Sequence, residues 1–376
     1  MANNNKHTGP NVPALRFPEF SGEWTKIKLG DLGSFFSGGT PSSSRKDYYG
    51  GEIPFIRSGE LHSDSTALSI TKEAYDSCSA KMVNKGDLLL ALYGATSGDI
   101  SISRISGAIN QAILCIRPQY MDAYFIKSLW EKHKKHILET YLQGGQGNLS
   151  SEIIKNISFF FPNSDEQVKI SRLIHIIDDR IETQSKIIEE QETLLRSLRH
   201  KIYSRVQAQS QCTIADVLCY EQPTKYLVTD TDYTDDDSQV PVLTANKAFI
   251  LGYTTENFGI YDKGPCIILD DFTLDCKYVD FKFKVKSSAI KILRAKAKTN
   301  LRFIFEYFRF LELNTTEHRR HYIAEIEPMS ILLPSNEEID RIARLFTALD
   351  ERLEAARKEL KILESQKMYM LQKMFI

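Results

Sequence analysis

Two stretches of the chain decide its fold: SFFFPNSDEQVKISRLIHIIDDRIE at residues 158–182 and SILLPSNEEIDRIARLFTALDERLE at residues 330–354. Alignment of Pro162 with Pro334 sets an offset of 172 residues, and the two copies then run without a gap to Ser204 and Ile376. Identical residues stand at equivalent places in both copies, among them the pairs Ser158 and Ser330, Glu166 and Glu338, Ile170 and Ile342, Arg172 and Arg344, Asp178 and Asp350, and Arg180 and Arg352. A match at one constant offset indicates an internal duplication.

Each copy predicts a short strand followed by a long helix. The strands, at residues 157–162 and 329–334, end in proline, and Ser164 with Gln167, like Ser335 with Glu338, has the spacing of a capping box. Apolar residues then recur at steps of three and four, which is typical of a coiled coil. This predicted helix-packing seam consists of Ile170, Leu173, Ile177, Ile181, Ile188, Leu195, Leu198, Ile202, Ile342, Leu345, Leu349, Leu353, Leu360, Leu363, Met370 and Met374. Helices of about 42 residues would be roughly 60 Å long.

The two seams differ in composition, which favours packing of one helix on the other within the same chain. Where the first copy has Gln184, Gln191 and Leu195, the second has Ala356, Leu363 and Lys367. A single heptad stripe would favour the alternative, a homodimeric coiled coil. The second stripe in the same chain reverses that preference.

The rest of the sequence divides into two regions of similar size. We expect a flexible N-terminal segment at residues 1–21, a first globular domain at 22–161, a central helix at 162–207, a second domain at 208–333 and a C-terminal helix at 334–376. Each domain shows short apolar strands separated by turns and then a helix, at 123–138 or 301–311, and LGDL at 29–32 resembles IADV at 214–217. The predicted fold class is α+β, with two globular domains of mixed α/β structure separated by two long coiled-coil helices.

Composition indicates an ordinary protein of several domains. The chain has 376 residues, of which 42% are hydrophobic and 26% charged. No run approaches the roughly 18 apolar residues of a membrane span, and residues 1–13 lack the apolar core of a signal peptide, so we expect a cytoplasmic protein with no membrane partner. The six cysteines are scattered without a CxxC pair, which predicts reduced thiols.

One segment of the second domain is strongly basic, although the net charge of the chain is only −1. Residues 277–302 hold nine basic side chains against the single acid Asp280, a local excess of +8. The basic residues are Lys277, Lys282, Lys284, Lys286, Lys291, Arg294, Lys296, Lys298 and Arg302. Clustered basic residues are typical of nucleic-acid binding.

Polar turns in both domains carry side chains that can read DNA bases, because Arg and Lys donate to guanine, Asn and Gln pair with adenine, and acids accept from cytosine. The predicted DNA-binding residues of the first domain are Ser37, Gly38, Thr40, Arg57, Ser58, Glu60, Asn110, Gln111, Gln143, Gln146 and Asn148. Those of the second are Gln222, Thr224, Lys225, Tyr226, Thr244, Asn246, Lys247, Asp271, Thr273, Lys284, Lys286, Ser287 and Ser288. Taken singly, such turns are also typical of solvated loops, and that alternative stays open.

The sequence lacks the motifs of common catalytic sites. It contains no Walker loop, no GxGxxG and no Asn- or Asp-Pro-Pro signature of adenine methylation. HKKH at residues 133–136 is echoed by HRRH at 318–321, but the intervening residues are cationic, which favours a basic helix surface over a metal site. We therefore predict a protein without a catalytic centre, a metal or a directly bound cofactor.

Several segments resemble the specificity subunits of type I restriction-modification systems. They are NVPALRFPEFSGEW at residues 11–24, GGQGNLSSEI at 144–153, PVLTANKAFILGY at 241–253 and the twin helix starts after Pro162 and Pro334. The resemblance covers essentially the whole chain, and its tandem arrangement is more specific than any single motif.

The resemblance implies a fold, a function and partners. It implies two target-recognition domains that alternate with two helices, which pack antiparallel and relate the halves by a pseudo-two-fold. Each domain would read one half of a bipartite, asymmetric site in double-stranded DNA, and the helices would set the spacer. The helices would also bind two adenine methyltransferase subunits, and restriction and translocation subunits would join them. S-adenosylmethionine and ATP would then be bound by those partners.

Two alternatives remain at this point. One is a non-catalytic coiled-coil scaffold with two protein-interaction modules, for which the +8 segment has no role because basic residues facing phosphates make binding depend on salt. The other is a fused restriction enzyme, which would need methyltransferase or nuclease motifs that this sequence does not contain.

Overall fold

The computed structural model describes residues 10–142, 148–244, 249–296, 299–313, 315 and 319–376. The chain forms two compact units. Unit 1 contains Met1–Gln184 and Glu359–Ile376, and unit 2 contains Ser185–Lys358. Each unit therefore holds one globular domain and part of each long helix. No helix among the described residues is long and apolar enough to cross a membrane.

The described part of the first globular domain contains ten short strands and three helices. In chain order they are β1 (Thr25–Lys28), β2 (Gly33–Ser37), β3 (Tyr49–Ile56), β4 (Ser69–Ile70), α1 (Lys72–Asp76), β5 (Lys81–Val83), β6 (Leu88–Ala91), β7 (Ile100–Ile102), β8 (Gly107–Ile109), β9 (Ile113–Pro118), α2 (Ala123–Leu142), α3 (Ser151–Asn156) and β10 (Ser158–Phe161). The first long helix, α4 (Ser164–Tyr203), follows directly.

Two four-stranded sheets form the body of this domain, with orders β2-β9-β6-β7 and β4-β3-β8-β5, and β1 pairs separately with β10. Strand β6, Leu88–Ala91, is apolar at every position because both of its faces are buried. Helix α2 covers the first sheet with Phe125, Leu129 and Trp130, and the indole of Trp130 donates to the carbonyl of Gly98 at 2.8 Å.

The second globular domain repeats this design. Its elements are β11 (Ser210–Thr213), α5 (Ile214–Val217), β12 (Leu218–Glu221), β13 (Val240–Leu243), β14 (Ile250–Thr254), β15 (Cys266–Asp270), β16 (Cys276–Val279), β17 (Lys284–Val285), β18 (Ile290–Ala295), α6 (Leu301–Leu311) and β19 (Ser330–Leu333), followed by the second long helix, α7 (Asn336–Met374). The sheet orders are β12-β18-β15-β16 and β14-β13-β17, and β11 pairs with β19. The four-stranded sheet β12-β18-β15-β16 thus has the same arrangement of strands along the chain as β2-β9-β6-β7 in the first domain. The resemblance of LGDL to IADV is also real, since Leu29–Asp31 and Ile214–Val217 both form short helical turns.

The long helices pack antiparallel within each unit. In unit 1, Asp178 of α4 bonds Lys367 of α7 at 2.8 Å, and Leu371 joins the core that contains Ile170. In unit 2, Glu192 of α4 bonds Arg357 of α7 at 2.6 Å, and the ring of Tyr203 stacks on that of Phe346 with centroids 6.3 Å apart. Within each unit, residue numbers rise along α4 as the numbers of their partners in α7 fall, so the helices run antiparallel, as predicted. The helices have 40 and 39 residues.

Two details of the long helices differ from prediction. Asn163, not Ser164, caps α4, because its side chain accepts from the Glu166 amide at 3.0 Å, whereas Ser335 caps α7 as expected. All predicted seam residues are buried or half-buried except Leu345, which is 41% exposed. Phe346, one position later, is fully buried in its place, because the seam of α7 runs through Ile342 and Phe346, one turn apart.

Part of the N-terminal segment predicted to be flexible contacts the long helices through Leu15 and Arg16. The guanidinium of Arg16 pairs with Glu166 of α4 at 2.6 Å, and both side chains are almost fully buried. The Leu15 amide donates to the carbonyl of Lys373 in α7 at 2.8 Å. A buried acid at position 166 requires such a partner, which explains why the segment is held.

Each globular domain contacts both long helices through a cluster of four charged side chains. In the first charge cluster, Lys127 of α2 bonds Glu131 at 2.8 Å and Asp178 of α4 at 2.9 Å, and Lys367 of α7 bonds Glu131 at 2.7 Å and Asp178 at 2.8 Å.

The second charge cluster repeats the arrangement in unit 2. Arg302 of α6 bonds Glu306 at 2.7 Å and also Asp350 of α7, and Arg199 of α4 bonds Glu306 at 2.8 Å. Asp178 and Asp350 are equivalent residues of the sequence duplication, so the repeat includes these contacts.

Candidate nucleic-acid interface

Those predicted DNA-binding residues of the first domain that the structure describes come together where two parallel strands end. Strands β3 and β8 are parallel, with Ile56 opposite Ile109, and the Asn110 amide donates to the Ile56 carbonyl at 3.3 Å. Because parallel strands end on the same side of a sheet, residues 57–60 and residues 110 and 111 lie side by side. We call this surface, which also includes residues 37–40 and Asn148, the first edge.

The remaining members of the first edge are held by one side-chain hydrogen bond and by close backbone contacts. The hydroxyl of Thr40 bonds the side-chain oxygen of Gln111. Gly38 has to be glycine, because a Cβ there would lie 1.8 Å from the carbonyl oxygen of Ile109. Asn148 precedes Leu149, whose amide bonds the Leu92 carbonyl at 2.9 Å, and the Leu92 amide in turn bonds the Ala112 carbonyl at 2.8 Å.

Arg57 and Glu60 present a fixed pair of opposite charges on the first edge. Their side chains meet at 3.2 Å, and Glu60 also accepts from the amides of Arg57 and Ala67. Burial opposes ionisation of Glu60, but the bonds from Arg57 and the two amides outweigh it and lower the pKa of the carboxyl. The bond to Glu60 raises the pKa of Arg57. The pair therefore offers both a charged donor and a charged acceptor in one orientation.

The second domain builds an equivalent surface. Strands β13 and β17 are parallel, with Leu243 opposite Val285, and the Lys286 amide donates to the Leu243 carbonyl at 2.9 Å. This is the counterpart of the bond between Asn110 and Ile56. The Asp271 amide bonds the Ala289 carbonyl at 3.1 Å, the counterpart of the bond between Leu92 and Ala112. The second edge consists of residues 222–226, Thr244, residues 271–273 and residues 286–288.

Residues 222–226 reach the second edge because the chain after them pairs with β17. The Val228 amide bonds the Val285 carbonyl at 2.9 Å. Gln222, Thr224 and Lys225 are exposed there. On the same edge Thr273, Lys286, Ser287 and Ser288 are also exposed.

Four predicted contacts of the second domain are buried and cannot reach DNA in this conformation. Lys284 is fully buried, and its Nζ lies 2.7 Å from both Glu256 and the carbonyl of Phe258. Asp271 pairs with Lys291 at 3.1 Å and accepts from the Tyr322 amide at 2.8 Å. Tyr226 and Thr244 are also buried. Their burial argues against direct base or phosphate contacts, and the two charged side chains among them, Lys284 and Asp271, are each paired inside the domain.

The +8 segment is not a basic face. Most of its basic side chains are paired with acids that lie outside residues 277–302. The pairs are Lys277 with Asp275, Lys282 with Asp262, Lys284 with Glu256, Lys291 with Asp271, Arg294 with Glu221, and Arg302 with Glu306 and Asp350. Among the described residues, Lys225 and Lys286 are exposed cations of the second edge without an acidic partner. The charge count failed because the compensating acids lie elsewhere in the sequence.

Some predicted residues lie outside the part of the chain that the structure describes. They are Gln143, Gln146, Asn246 and Lys247 among the DNA-binding predictions, Lys298 of the basic segment, and His318 of the second HxxH echo. One exposed side chain of the second domain, Phe258, was not predicted. In the sequence, the only sign of this exposed side chain is an aromatic residue within a polar loop, between Glu256 and Gly259.

Comparisons with known proteins agree with this architecture. Residues 21–193 match the family model described as type I restriction modification DNA specificity domain. The chain is 42% identical over 158 residues to the EcoR124I/EcoR124II specificity subunit of Escherichia coli, which covers 38% of this chain and 39% of that protein. It is 22% identical over 415 residues to a putative MjaX specificity subunit of Methanocaldococcus jannaschii, covering 95% and 94%. The chain thus matches less than half the length of the E. coli relative.

A solved structure confirms the predicted fold class over nearly the whole chain. The type I restriction-modification S subunit from M. genitalium superposes with a TM-score of 0.71 at 15% identity, covering 97% of this chain and 99% of that one. The chain therefore shares the fold of that solved structure. The match of residues 21–193 to the type I restriction modification DNA specificity domain and the curated relatives agree with the resemblance drawn from the sequence.

Proposed function

We propose that the chain is the DNA-specificity subunit of a type I restriction-modification complex. Each globular domain reads one half of a bipartite, asymmetric site, and the chain itself carries out no catalysis. The observation that supports this proposal is the repeated edge: two parallel strand pairs with equivalent backbone bonds present different polar side chains. A shared frame with different side chains suits two readers of two different sequences.

The exposed chemistry of each edge fits base readout in the major groove. Arg57 can donate to guanine, Gln111 and Asn148 can pair with adenine, and Glu60 can accept from cytosine. On the second edge Gln222 offers an amide and Thr273, Ser287 and Ser288 offer hydroxyls for base readout, and Lys286 offers a cation for phosphates. Double-stranded DNA is accordingly the proposed ligand, and the cytoplasm the proposed compartment.

The long helices supply the proposed surface for partner subunits. Apolar side chains outside the seam are exposed on both helices, among them Ile176 and Leu194 of α4 and Ile362 and Tyr369 of α7. In unit 1, a cleft of about 360 Å³ lies between the helices beside Ile176. We propose that two adenine methyltransferase subunits cover these side chains and that restriction and translocation subunits join them. S-adenosylmethionine and ATP would be bound by those partners, and the helix length would set the spacer.

One observation favours the scaffold alternative. The basic segment at 277–302 is largely neutralised within the domain, so it contributes few free cations for phosphates. A scaffold with two protein-interaction modules would need no such cations. The two functions differ in a direct test.

The test is methylome sequencing of cells that express this chain with its methyltransferase partner, compared with cells that lack only this chain. We expect a split, asymmetric motif, methylated on adenine and lost with the chain. The matched control carries Arg57→Ala on the first edge, which should alter one half of the motif only. An unchanged methylome in the cells lacking the chain would contradict the proposal and support the scaffold.

A further inference from the structure

Phe258 is an aromatic side chain held out in solvent. It is 56% exposed, although phenylalanine is usually buried. The ammonium of Lys284 lies 4.4 Å from its ring centroid, and the same Nζ donates to the carbonyl of Phe258 at 2.7 Å. A cation over one face of the ring and a bond to its own backbone fix the side chain while its other face stays free.

The backbone places Phe258 on the second edge. Tyr261 and Phe283 form an antiparallel bridge, and Phe258 lies three residues before that bridge as Lys286 lies three residues after it. The loop also passes close to Lys225, because a Cβ on Gly259 would lie 2.7 Å from the Lys225 carbonyl oxygen. Phe258 therefore stands near both Lys225 and Lys286, which among the described residues are the exposed cations of the second edge without an acidic partner.

The support beneath the ring is a buried ion pair. Glu256 bonds Lys284 at 2.7 Å and accepts from the hydroxyl of Thr229 at 2.6 Å and the amide of Asp230 at 2.8 Å. Burial opposes ionisation of Glu256, but these bonds outweigh it and lower its pKa to about 2. The ion pair thus persists at neutral pH. Aromatic side chains, phenylalanine among them, are enriched in binding interfaces relative to the rest of the protein surface.

We propose that Phe258 makes an apolar contact with the bases of the second half-site and helps to determine the sequence that is read there. This inference rests on the proposed function. The ring can pack on a thymine methyl group or against the face of a base, and both contacts are apolar. Lys225 and Lys286 beside it bind phosphates. The cations favour DNA over an apolar protein surface as the partner, because a protein would leave them unpaired.

The test uses the full chain assembled with its methyltransferase subunits. The probe is a duplex that carries the motif given by the methylome, and the reference is a duplex of scrambled sequence. Phe258→Ala should weaken binding to the motif by about tenfold, or about 1.4 kcal/mol, since the variant loses the apolar contact of an aromatic ring with a base. Affinity for the scrambled duplex should be unchanged. The matched control is Phe281→Ala, because Phe281 is also exposed (41%) but precedes β17, away from the second edge.

The outcomes separate the possible contacts. If uracil in place of thymine in the second half-site weakens wild-type binding as much as the mutation does, the contact is the thymine methyl group. A loss that uracil does not reproduce assigns it to stacking, and both results support the proposal. Equal motif binding by Phe258→Ala and Phe281→Ala would overturn it, as would a loss of methyltransferase assembly with DNA affinity intact. Failure of the wild type to prefer the motif would instead refute the proposed function.

Discussion

Replacement of Asp178 by asparagine should loosen the attachment of the first domain to the long helices. Asp178 is the acid that α4 contributes to the first charge cluster; it contacts Lys127 at 2.9 Å and Lys367 at 2.8 Å, and it also accepts from Tyr124. Burial opposes its ionisation, but Lys127, Lys367 and Tyr124 outweigh it and lower the pKa of Asp178. Its charge therefore stabilises unit 1 above the ordinary carboxyl pKa, and the contribution is lost as pH falls below that value.

The expected size follows from the burial of the group. Breaking a buried ion pair costs about 3–5 kcal/mol. Asparagine keeps a polar side chain at a position whose side chain is 19% exposed, so we expect about 2 kcal/mol. Local opening by that amount makes amide exchange roughly thirtyfold faster. Hydrogen exchange measured by mass spectrometry should show this change in α2 and in the C-terminal half of α7.

The neighbouring acid provides the matched control. Asp179 is 62% exposed, and its pairing partner His175 lies 3.6 Å away. Asp179→Asn should therefore change the free energy of local opening by less than about 0.5 kcal/mol. In unit 2, Asp350→Asn should accelerate exchange in α6 and leave α2 unchanged. Equal exchange in α2 for the Asp178 and Asp179 variants would refute the assignment of the charge cluster as the attachment.

Three further predictions concern the second edge and the helices. Lys286→Ala should weaken binding to all DNA sequences and reduce the slope of log affinity against log salt concentration by about 1. Lys282→Ala should change neither, because Lys282 is already paired with Asp262 at 2.8 Å. Equal salt slopes for the two variants would contradict this role of Lys286. Because Glu256 has a lowered pKa, wild-type unit 2 should lose stability as pH falls from 4.5 toward about 2, and Glu256→Gln should flatten that loss in acid titrations followed by circular dichroism. Four residues inserted after Glu190 and four after Lys358 lengthen each helix by about 6 Å, and the methylome should then show the same half-sites with a changed spacer; an unchanged spacer would refute the ruler.

The duplicated helices could be predicted because their signal is local. Apolar spacing and a constant offset identify both copies, and the structure retains almost all of the predicted seam. The spacing defines a face only to within a wide stripe, so it assigned Leu345 to the seam in place of Phe346. The antiparallel direction came from the family resemblance, since periodicity is the same in either direction.

The candidate edges could be predicted in part. Polar turns after apolar strands gave Arg57, Asn110 and Gln111, which the parallel strands β3 and β8 bring together. The sequence does not show that Lys284 is buried, because its partner Glu256 lies in another loop and meets it only in the folded domain. For the same reason Phe258 was missed, since its exposure depends on support from Lys284.

The charge clusters bear on how such a gene can change. Each globular domain brings a base and an acid four residues apart, Lys127 with Glu131 or Arg302 with Glu306, and the long helices bring the complementary acid and base. If recombination copied a domain from one half of the gene into the other, its base would again meet an acid on the long helices, and its acid would again meet a base. Exchange between the halves would preserve the attachment while it replaced the side chains on one edge, so specificity could be inherited in blocks.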